Sequence, residues 1–295
     1  MDVNRIKDQL GDLFPFKSHF HELSDGNRMH YVDEGQGSPL VMVHGNPTWS
    51  FYFRELIRAF RDRFRVIAVD HIGCGMSDKP QRYPYTLRRH TGNLTSLIDD
   101  LGLDNVTLVV HDWGGAIGFG WAVRNAARYR RGVVFNTAAW LGTPGPLRIR
   151  ISGLPVVGEI AIRGLNGFAR AALHMAVGRG RKLPADVRRG LLAPYRSYAD
   201  RVAHLAFVRD IPYTPRVPSY DELAETEAGL PALADKPMLI CWGEQDFCFN
   251  DAFLAEWIRR FPDASVVRFA DAGHYVVEDA TERIIREMDR FLKPA

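Results

Sequence analysis

Cysteine, long apolar runs and an excess of one charge are all scarce in this chain of 295 residues. The three cysteines, Cys74, Cys241 and Cys248, are odd in number and lack metal-type spacing. They therefore argue against a disulfide framework and a metal site, and they suit a reducing cytoplasm. No apolar run is long enough to cross a bilayer, and the polar stretch Met1–Asp12 predicts no signal peptide. A formal net charge of +3 is too small to indicate nucleic-acid binding.

Short apolar segments alternate with helix-like segments along most of the chain. Regular alternation of this kind predicts an α/β protein with a mainly parallel sheet covered on both faces. The predicted strands are Met29–Asp33, Leu40–His44, Arg65–Asp70, Val106–Val110, Gly132–Asn136, Lys236–Trp242 and Ser265–Phe269.

The strand Val106–Val110 ends abruptly in His-Asp-Trp-Gly-Gly, and a helix-like segment follows from Ala116. A strand that turns into a helix through small residues is typical of the nucleophile elbow of an α/β-hydrolase, with Asp112 in the usual place of serine. A carboxylate is ionised near neutrality, so it can attack an electrophilic carbon without a base to activate it. The alternative is that Asp112 only caps the helix. The two glycines, and the candidate base and acid described next, would then have no common explanation.

A histidine and an acid follow the nucleophile in the order expected of this elbow. His274 lies on a glycine-preceded turn after the last predicted strand, and we expect it to act as the base. Two positions compete to orient it: Asp246, directly after a buried strand, and Asn136, after the strand before the helical stretch. Asn136 is neutral and therefore a poor partner for an imidazolium, so Asp246 is favoured. Most of the other histidines are expected to be structural.

Asn46 and Trp113 are the candidates for holding negative charge opposite the nucleophile. Asn46 follows the second predicted strand, and the ends of parallel strands open into one crevice, which places it beside Asp112. Both candidates offer a backbone N–H and a side-chain N–H, which could hold an oxyanion, a halide or a leaving carboxylate. The alternative for Asn46 is a turn residue before Pro47.

Between Trp140 and about Leu230 the alternation stops and the sequence becomes helical in character. We predict a helical cap at 140–230, inserted between core segments 1–139 and 231–295. The first half of the cap is apolar and basic. It is either a lid whose apolar face lines a pocket, or a surface for a partner protein, a lipid interface or an acidic substrate group. Its basic residues, against the single acid Glu159, are Arg148, Arg150, Arg163, Arg170, Arg179, Arg181 and Lys182.

Four motifs together resemble the haloalkane dehalogenase family of α/β-hydrolases. The resemblance covers essentially the whole chain, and it implies a mainly parallel, eight-stranded sheet with an inserted helical cap. It also implies that Asp112 is the nucleophile, His274 the base and Asp246 the third member of a triad, with Asn46 and Trp113 as an anion clamp. The motifs are His44–Trp49, His111–Gly115, Trp242–Gly243 with Asp246, and Gly273–His274 with Glu278–Asp279.

A narrower resemblance, carried by Asp70–Pro80, Arg163–Arg170 and Trp242–Phe247, is to the β-lactone decarboxylases of bacterial long-chain olefin biosynthesis (OleB). That family converts a dialkyl β-lactone to a cis-alkene and carbon dioxide without a cofactor. The resemblance therefore implies an apolar small-molecule substrate, and the cysteine content predicts a cytoplasmic location. The resemblance also suggests assembly with other pathway enzymes, or peripheral membrane contact through the basic cap.

Other functions stay open at this point. Haloalkane dehalogenation through an alkyl-enzyme ester would use the same residues, with His274 activating water. An epoxide hydrolase would need cap tyrosines that donate protons to the epoxide oxygen. A luciferase or a non-catalytic ligand receptor could also use the scaffold, although the complete set of nucleophile, base and acid disfavours a receptor. The available cap tyrosines are Tyr195, Tyr198, Tyr213 and Tyr220.

Overall fold

An eight-stranded sheet lies at the centre of the computed structural model, which describes residues 3–142 and 145–293. Its spatial order is β1-β2-β4-β3-β5-β6-β7-β8. The strands from β4 through β8 in that order run parallel, whereas β2 is antiparallel to both β1 and β4. The strands are β1 Ser18–Glu22, β2 Arg28–Glu34, β3 Pro39–Val43, β4 Arg65–Val69, β5 Val106–Asp112, β6 Tyr129–Thr137, β7 Met238–Gly243 and β8 Ser265–Phe269.

The mainly parallel sheet predicted from the sequence is confirmed, with one strand that the pattern missed. All seven predicted strands are present, and β5 is buried along its whole length, as expected of a strand covered on both faces. The missed strand, β1, reads Ser-His-Phe-His-Glu and lacks an apolar run. It lies at the edge of the sheet and pairs with β2 alone, so it buries little and leaves no hydrophobic signal.

Helices cover both faces of the sheet, so alternate strand side chains enter two different cores. In β3, Leu40 and Met42 join one core, while Val41 and Val43 join the other. The helices before the long helical stretch are α1 Val3–Leu10, α2 Arg54–Phe60, α3 Leu87–Asp100 and α4 Trp113–Arg124. Those after it are α11 Asp251–Arg260, α12 Val276–Asp279 and α13 Thr281–Leu292, and short 3-10 turns occur at Gly11–Leu13 and Ser50–Phe53.

Every described element between β6 and β7 is helical. The α-helices there are α5 Leu147–Ser152, α6 Pro155–Gly158, α7 Gly167–Met175, α8 Ala185–Leu192, α9 Val202–Arg209 and α10 Tyr220–Gly229. They are joined by the π-helix Glu159–Gly164 and by 3-10 turns at Ala199–Arg201 and Leu230–Leu233. The boundaries of the cap, 140 and 230, stay a prediction, and its residues 143 and 144 lie outside the described residues. Within the described chain, no helix is long and apolar enough to cross a membrane.

The turn from β5 into α4 brings three chain segments into unusually close contact. Asp112 has a φ of +53°, a left-handed conformation that is rare for a residue with a side chain. A Cβ atom on Gly114 would lie 1.9 Å from the backbone oxygen of Val43, and one on Gly115 would lie 2.0 Å from Oγ1 of Thr137. Glycine is therefore required at both positions if α4 is to pack against β3 and β6.

We expect Gly114→Ala to lower the apparent unfolding temperature by about 5 °C or more, because the added methyl group meets fixed backbone rather than a movable side chain. Gly92→Ala in α3 is the matched control, since a Cβ atom there meets nothing within 4 Å. The control should leave the unfolding temperature unchanged or slightly raised, because alanine favours a helix. Equal shifts of the unfolding temperature in the two variants would show that close packing at the elbow does not require glycine at position 114.

Candidate active site

The five residues singled out from the sequence come together at the carboxyl edge of the sheet. Asp112 ends β5, and Asn46 lies in the loop that follows β3. Asp246 and His274 lie in the loops that follow β7 and β8. A cavity of about 490 Å³ opens here between the sheet and the helices above it, and Asn46, Asp112, Trp113 and His274 all line it. Asp246 lies behind His274, with its side chain fully buried.

Asp112 is held as a buried carboxylate with one oxygen fixed by the neighbouring loop. The backbone N–H of Asn46 donates to its Oδ1 at 2.6 Å, and the Thr137 hydroxyl donates to its backbone oxygen. Its side chain makes no capping hydrogen bond to α4, so helix capping does not explain the residue. Burial raises the pKa of Asp112 above its ordinary value, although His274 and the backbone N–H groups of Asn46 and Trp113 oppose this. A poorly solvated carboxylate at the cavity floor can act as a nucleophile.

His274 connects the two carboxylates. Its Nδ1 donates to Oδ2 of Asp246 at 2.7 Å, which leaves Nε2 facing Oδ2 of Asp112 at 3.7 Å. Burial lowers the pKa of His274, but the attraction of Asp246, aided by Asp112, outweighs burial and raises that pKa overall. The second oxygen of Asp246 accepts from the backbone N–H of Cys248 at 2.6 Å, so the acid is fixed on both sides. The arrangement has the geometry expected of a triad with an aspartate nucleophile, and the catalytic roles of the three residues stay predictions.

Asn136, the competing position for the acid, is occupied elsewhere. Its Oδ1 accepts from the backbone N–H of Gly243 at 2.8 Å, and its Nδ2 donates to the backbone oxygen of the same residue at 3.0 Å. These two bonds tie the end of β6 to the end of β7 beyond the regular ladder. Asn136 therefore has a structural role, and the geometry favours Asp246 as the partner of His274.

Both residues of the candidate anion clamp, Asn46 and Trp113, contact α9 in the helices above the cavity. The Asn46 amide donates to the backbone oxygen of His204 in α9 at 3.1 Å, which leaves its second N–H free to bind a ligand. The Trp113 side chain lines the cavity and packs against Phe207, with ring centroids 5.2 Å apart. Its indole N–H has no hydrogen-bond partner among the described residues and can bind an anion. The roles of both residues stay predictions.

The cavity walls are apolar, and few hydroxyl groups reach them. Of the four cap tyrosines, only Tyr213 lines the cavity. The Tyr195 hydroxyl is buried between the backbones of Thr48 and Gly75. Tyr198 is half exposed and donates to a carboxylate on the cap surface. A pair of tyrosines able to protonate an epoxide oxygen is therefore absent from the described part of the wall.

Comparison with known proteins places the chain in a family. A sequence profile of the alpha/beta hydrolase family matches residues 40–287. The chain belongs to that family. It is 44% identical over 289 residues, 96% of this chain and 90% of the relative, to a cis-3-alkyl-4-alkyloxetan-2-one decarboxylase of Shewanella oneidensis. A protein of the same name from Xanthomonas campestris pv. campestris is 40% identical, over 92% of this chain and 94% of the relative.

Haloalkane dehalogenases are more distant relatives of this alpha/beta hydrolase. Haloalkane dehalogenase 2 of Mycobacterium tuberculosis is 35% identical over 92% of this chain and 93% of its own. The crystal structure of the haloalkane dehalogenase DatA from Agrobacterium tumefaciens superposes with a TM-score of 0.83 at 29% identity, over 94% of this chain and 96% of that one. The fold and both resemblances predicted from the motifs are therefore confirmed. These homologues are decarboxylase and dehalogenase enzymes.

Sequence reasoning missed the residues that hold His274 in place. His111, the residue before Asp112, donates from Nε2 to the backbone oxygen of His274 at 2.9 Å, and the two rings lie 4.5 Å apart. The Phe249 ring also stacks on His274, with centroids 5.7 Å apart. Burial and the neighbouring His274 keep the pKa of His111 well below its usual range, so it acts as a neutral donor. One indication of this role was present in the sequence, which is that His111 is a polar residue near the end of a fully buried strand.

We expect Asp246→Asn to lower the pKa of His274, because the substitution removes the main attraction that counteracts burial. The titration of His274 can be followed by NMR of the imidazole in the native chain and the variant. Asp251→Asn, an exposed carboxylate in α11, is the matched control and should leave that titration unchanged. An unaltered His274 titration in Asp246→Asn would contradict the triad assignment.

Proposed function

We propose that this chain is a cis-β-lactone decarboxylase that converts a cis-3,4-dialkyl β-lactone to a cis-alkene and carbon dioxide without a cofactor. The observation that carries the proposal is the 44% identity, over 96% of the chain, to a decarboxylase named for that substrate. The identity to haloalkane dehalogenase 2 is lower, at 35%. An apolar cavity above a buried carboxylate suits a neutral, strained ring with two alkyl substituents.

In the first step, an oxygen of Asp112 attacks the ring carbon that bears the ring oxygen. The bond between that carbon and the ring oxygen breaks, which gives an alkyl ester on Asp112 and a free carboxylate on the neighbouring carbon. The negative charge thus moves from Asp112 to the departing carboxylate. We expect the second amide N–H of Asn46 and the indole N–H of Trp113, both residues of the cavity wall, to bind it.

In the second step, the bond between the new carboxylate carbon and the adjacent ring carbon breaks. Its electron pair forms the double bond, the ester bond to Asp112 breaks, and carbon dioxide leaves. Neither water nor a net proton transfer is needed, and Asp112 is regenerated. Inversion at the attacked carbon followed by anti elimination keeps the alkyl groups cis. A charged His274, favoured by its raised pKa, stabilises Asp112 as it leaves.

Haloalkane dehalogenation is the second candidate, because the same triad geometry supports it and structural relatives carry that name. There, Asp112 would displace a halide held by Asn46 and Trp113. A neutral His274 would then activate water to cleave the ester. Epoxide hydrolysis is a third candidate and has less support, since Tyr213 is the single cap tyrosine at the described cavity wall.

Three further assignments belong to the proposal. We assign residues 140–230 to the cap and residues 1–139 and 231–295 to the core. We place the enzyme in the cytoplasm, where the free thiols of its three cysteines would stay reduced. Assembly with other enzymes of the same pathway is the proposed setting for its activity.

The proposal predicts rapid alkene formation from a synthetic cis-dialkyl β-lactone and slow halide release from bromo- and dibromoalkanes. Alkene can be followed by gas chromatography and halide by ion release. Asp112→Asn should reduce alkene formation by at least about 10³-fold, because the amide cannot act as the nucleophile. Asp62→Asn, an exposed acid on the core surface, is the matched control. Fast halide release with an inert lactone would make the chain a dehalogenase instead.

Attack at the alkyl carbon makes a separate prediction about oxygen. A lactone with a heavy-oxygen label in the ring should deliver the whole label to carbon dioxide, because the ring oxygen stays in the departing carboxylate. Attack at the carbonyl carbon would leave the labelled oxygen on the alkyl carbon as a hydroxyl group. The label would then leave as water when the alkene forms. Mass spectrometry of rapidly sampled headspace gas distinguishes the two routes, and unlabelled carbon dioxide would overturn the alkyl-carbon route.

A further inference from the structure

The outer surface of the first half of the helical stretch is unusually apolar. Eight of the eleven large hydrophobic side chains that are exposed in the described chain lie between residues 147 and 175. We call this surface the outer cap face. Its apolar members are Leu147, Ile151, Leu154, Val156, Val157, Ile160, Leu165 and Met175. Exposed apolar side chains concentrated in one stretch of the chain in this way indicate an interaction site.

The helices that carry the outer cap face are apolar on both sides. In α5, Leu147 and Ile151 are 67% and 47% exposed, and Leu154 follows one helical turn later at 51%. Ile149 on the opposite side of the same helix is buried and lines the cavity. Lining the cavity therefore accounts for only one side of these helices. The outward side chains are not needed for the core.

The charges around the outer cap face are almost all positive. Between residues 147 and 182, Glu159 is the single acid, and it is already engaged by Arg163, Arg209 and the Tyr198 hydroxyl. Most of the basic side chains there form no ion pair with any described residue, so their charge is available to an external anion. These side chains are Arg148, Arg150, Arg170, Arg179 and Lys182.

The outer cap face also reaches the entrance of the cavity. Arg148, Ala171 and Met175 each line the cavity and are each exposed to solvent. Met175 is thus at once a member of the apolar surface and a wall of the cavity. An apolar ligand that enters beside Met175 could pass from a surrounding apolar phase into the cavity without crossing water.

We infer that the outer cap face docks on an anionic phospholipid bilayer, with the cavity entrance directed towards the lipid. Exposed aliphatic side chains flanked by arginine and lysine have the chemistry of an interfacial, membrane-surface element. A second copy of the chain would bring two basic surfaces together, which is unfavourable. The face has no large exposed aromatic side chain before Tyr198, whereas aromatic anchors dominate protein interfaces.

Flotation of the purified full chain with lipid vesicles tests the inference. We expect the chain to float with mixed phosphatidylcholine–phosphatidylglycerol vesicles. Binding to pure phosphatidylcholine vesicles should be at least about tenfold weaker, because the basic residues then lose their partners. Added salt should weaken binding to the mixed vesicles for the same reason. Failure to float with mixed vesicles at low salt would overturn the inference.

Two variants separate the apolar and the charged contributions. Leu154→Ser with Val156→Ser and Leu165→Ser removes exposed apolar area, and Arg170→Glu with Arg179→Glu reverses charge. Each variant should weaken binding to mixed vesicles by at least about tenfold while circular dichroism and the unfolding temperature stay unchanged.

The matched controls are Ile258→Ser in α11 and Arg286→Glu in α13, which alter exposed residues far along the chain and should bind as the native protein does. Native-like binding by either test variant would overturn the inference. So would light scattering that shows a native dimer converted to monomers by the apolar substitutions, because a second copy would then cover the face.

Discussion

The close approach of three chain segments at the end of β5 is the constraint on which the site depends. Gly114 allows α4 to lie against the end of β3, and Gly115 allows it to lie against β6. A Cβ atom on Gly45 would fall 2.1 Å from Oδ1 of Asp112, so the loop after β3 can reach the carboxylate only because that residue is glycine. This packing, together with the left-handed backbone of Asp112, presents the carboxylate to the cavity and brings the Asn46 N–H to it.

The protonation state of His274 depends on the two carboxylates that surround its imidazole ring. His274 is buried between Asp246 and Asp112, so a proton on its ring stabilises both carboxylates. Hydrolysis of an ester needs the neutral ring as a base, whereas departure of a carboxylate is helped by the charged ring. The geometry of the three side chains is therefore compatible with either chemistry, and the two chemistries differ in the protonation state that they need at His274.

Structural features that arise from residues close together in the sequence could be predicted from the sequence alone. Buried strands show as apolar runs, and the elbow shows as a strand followed by Asp112 and two glycines. The choice of Asp246 over Asn136 followed from charge alone. The edge strand β1 could not be found, because a strand that buries little leaves no pattern. Contacts such as that between His111 and the backbone of His274 join residues distant in sequence, and no local pattern records them.

The hydrogen bond from the Asn46 amide to the backbone oxygen of His204 joins the candidate anion clamp to α9. Because the acceptor is a backbone atom, changing the side chain at that position would leave the bond in place, whereas moving the helix would break it. The same helix also forms part of the cavity wall. Helices grafted here from a relative would therefore change the hydrogen-bond partner of Asn46 together with the shape of the cavity.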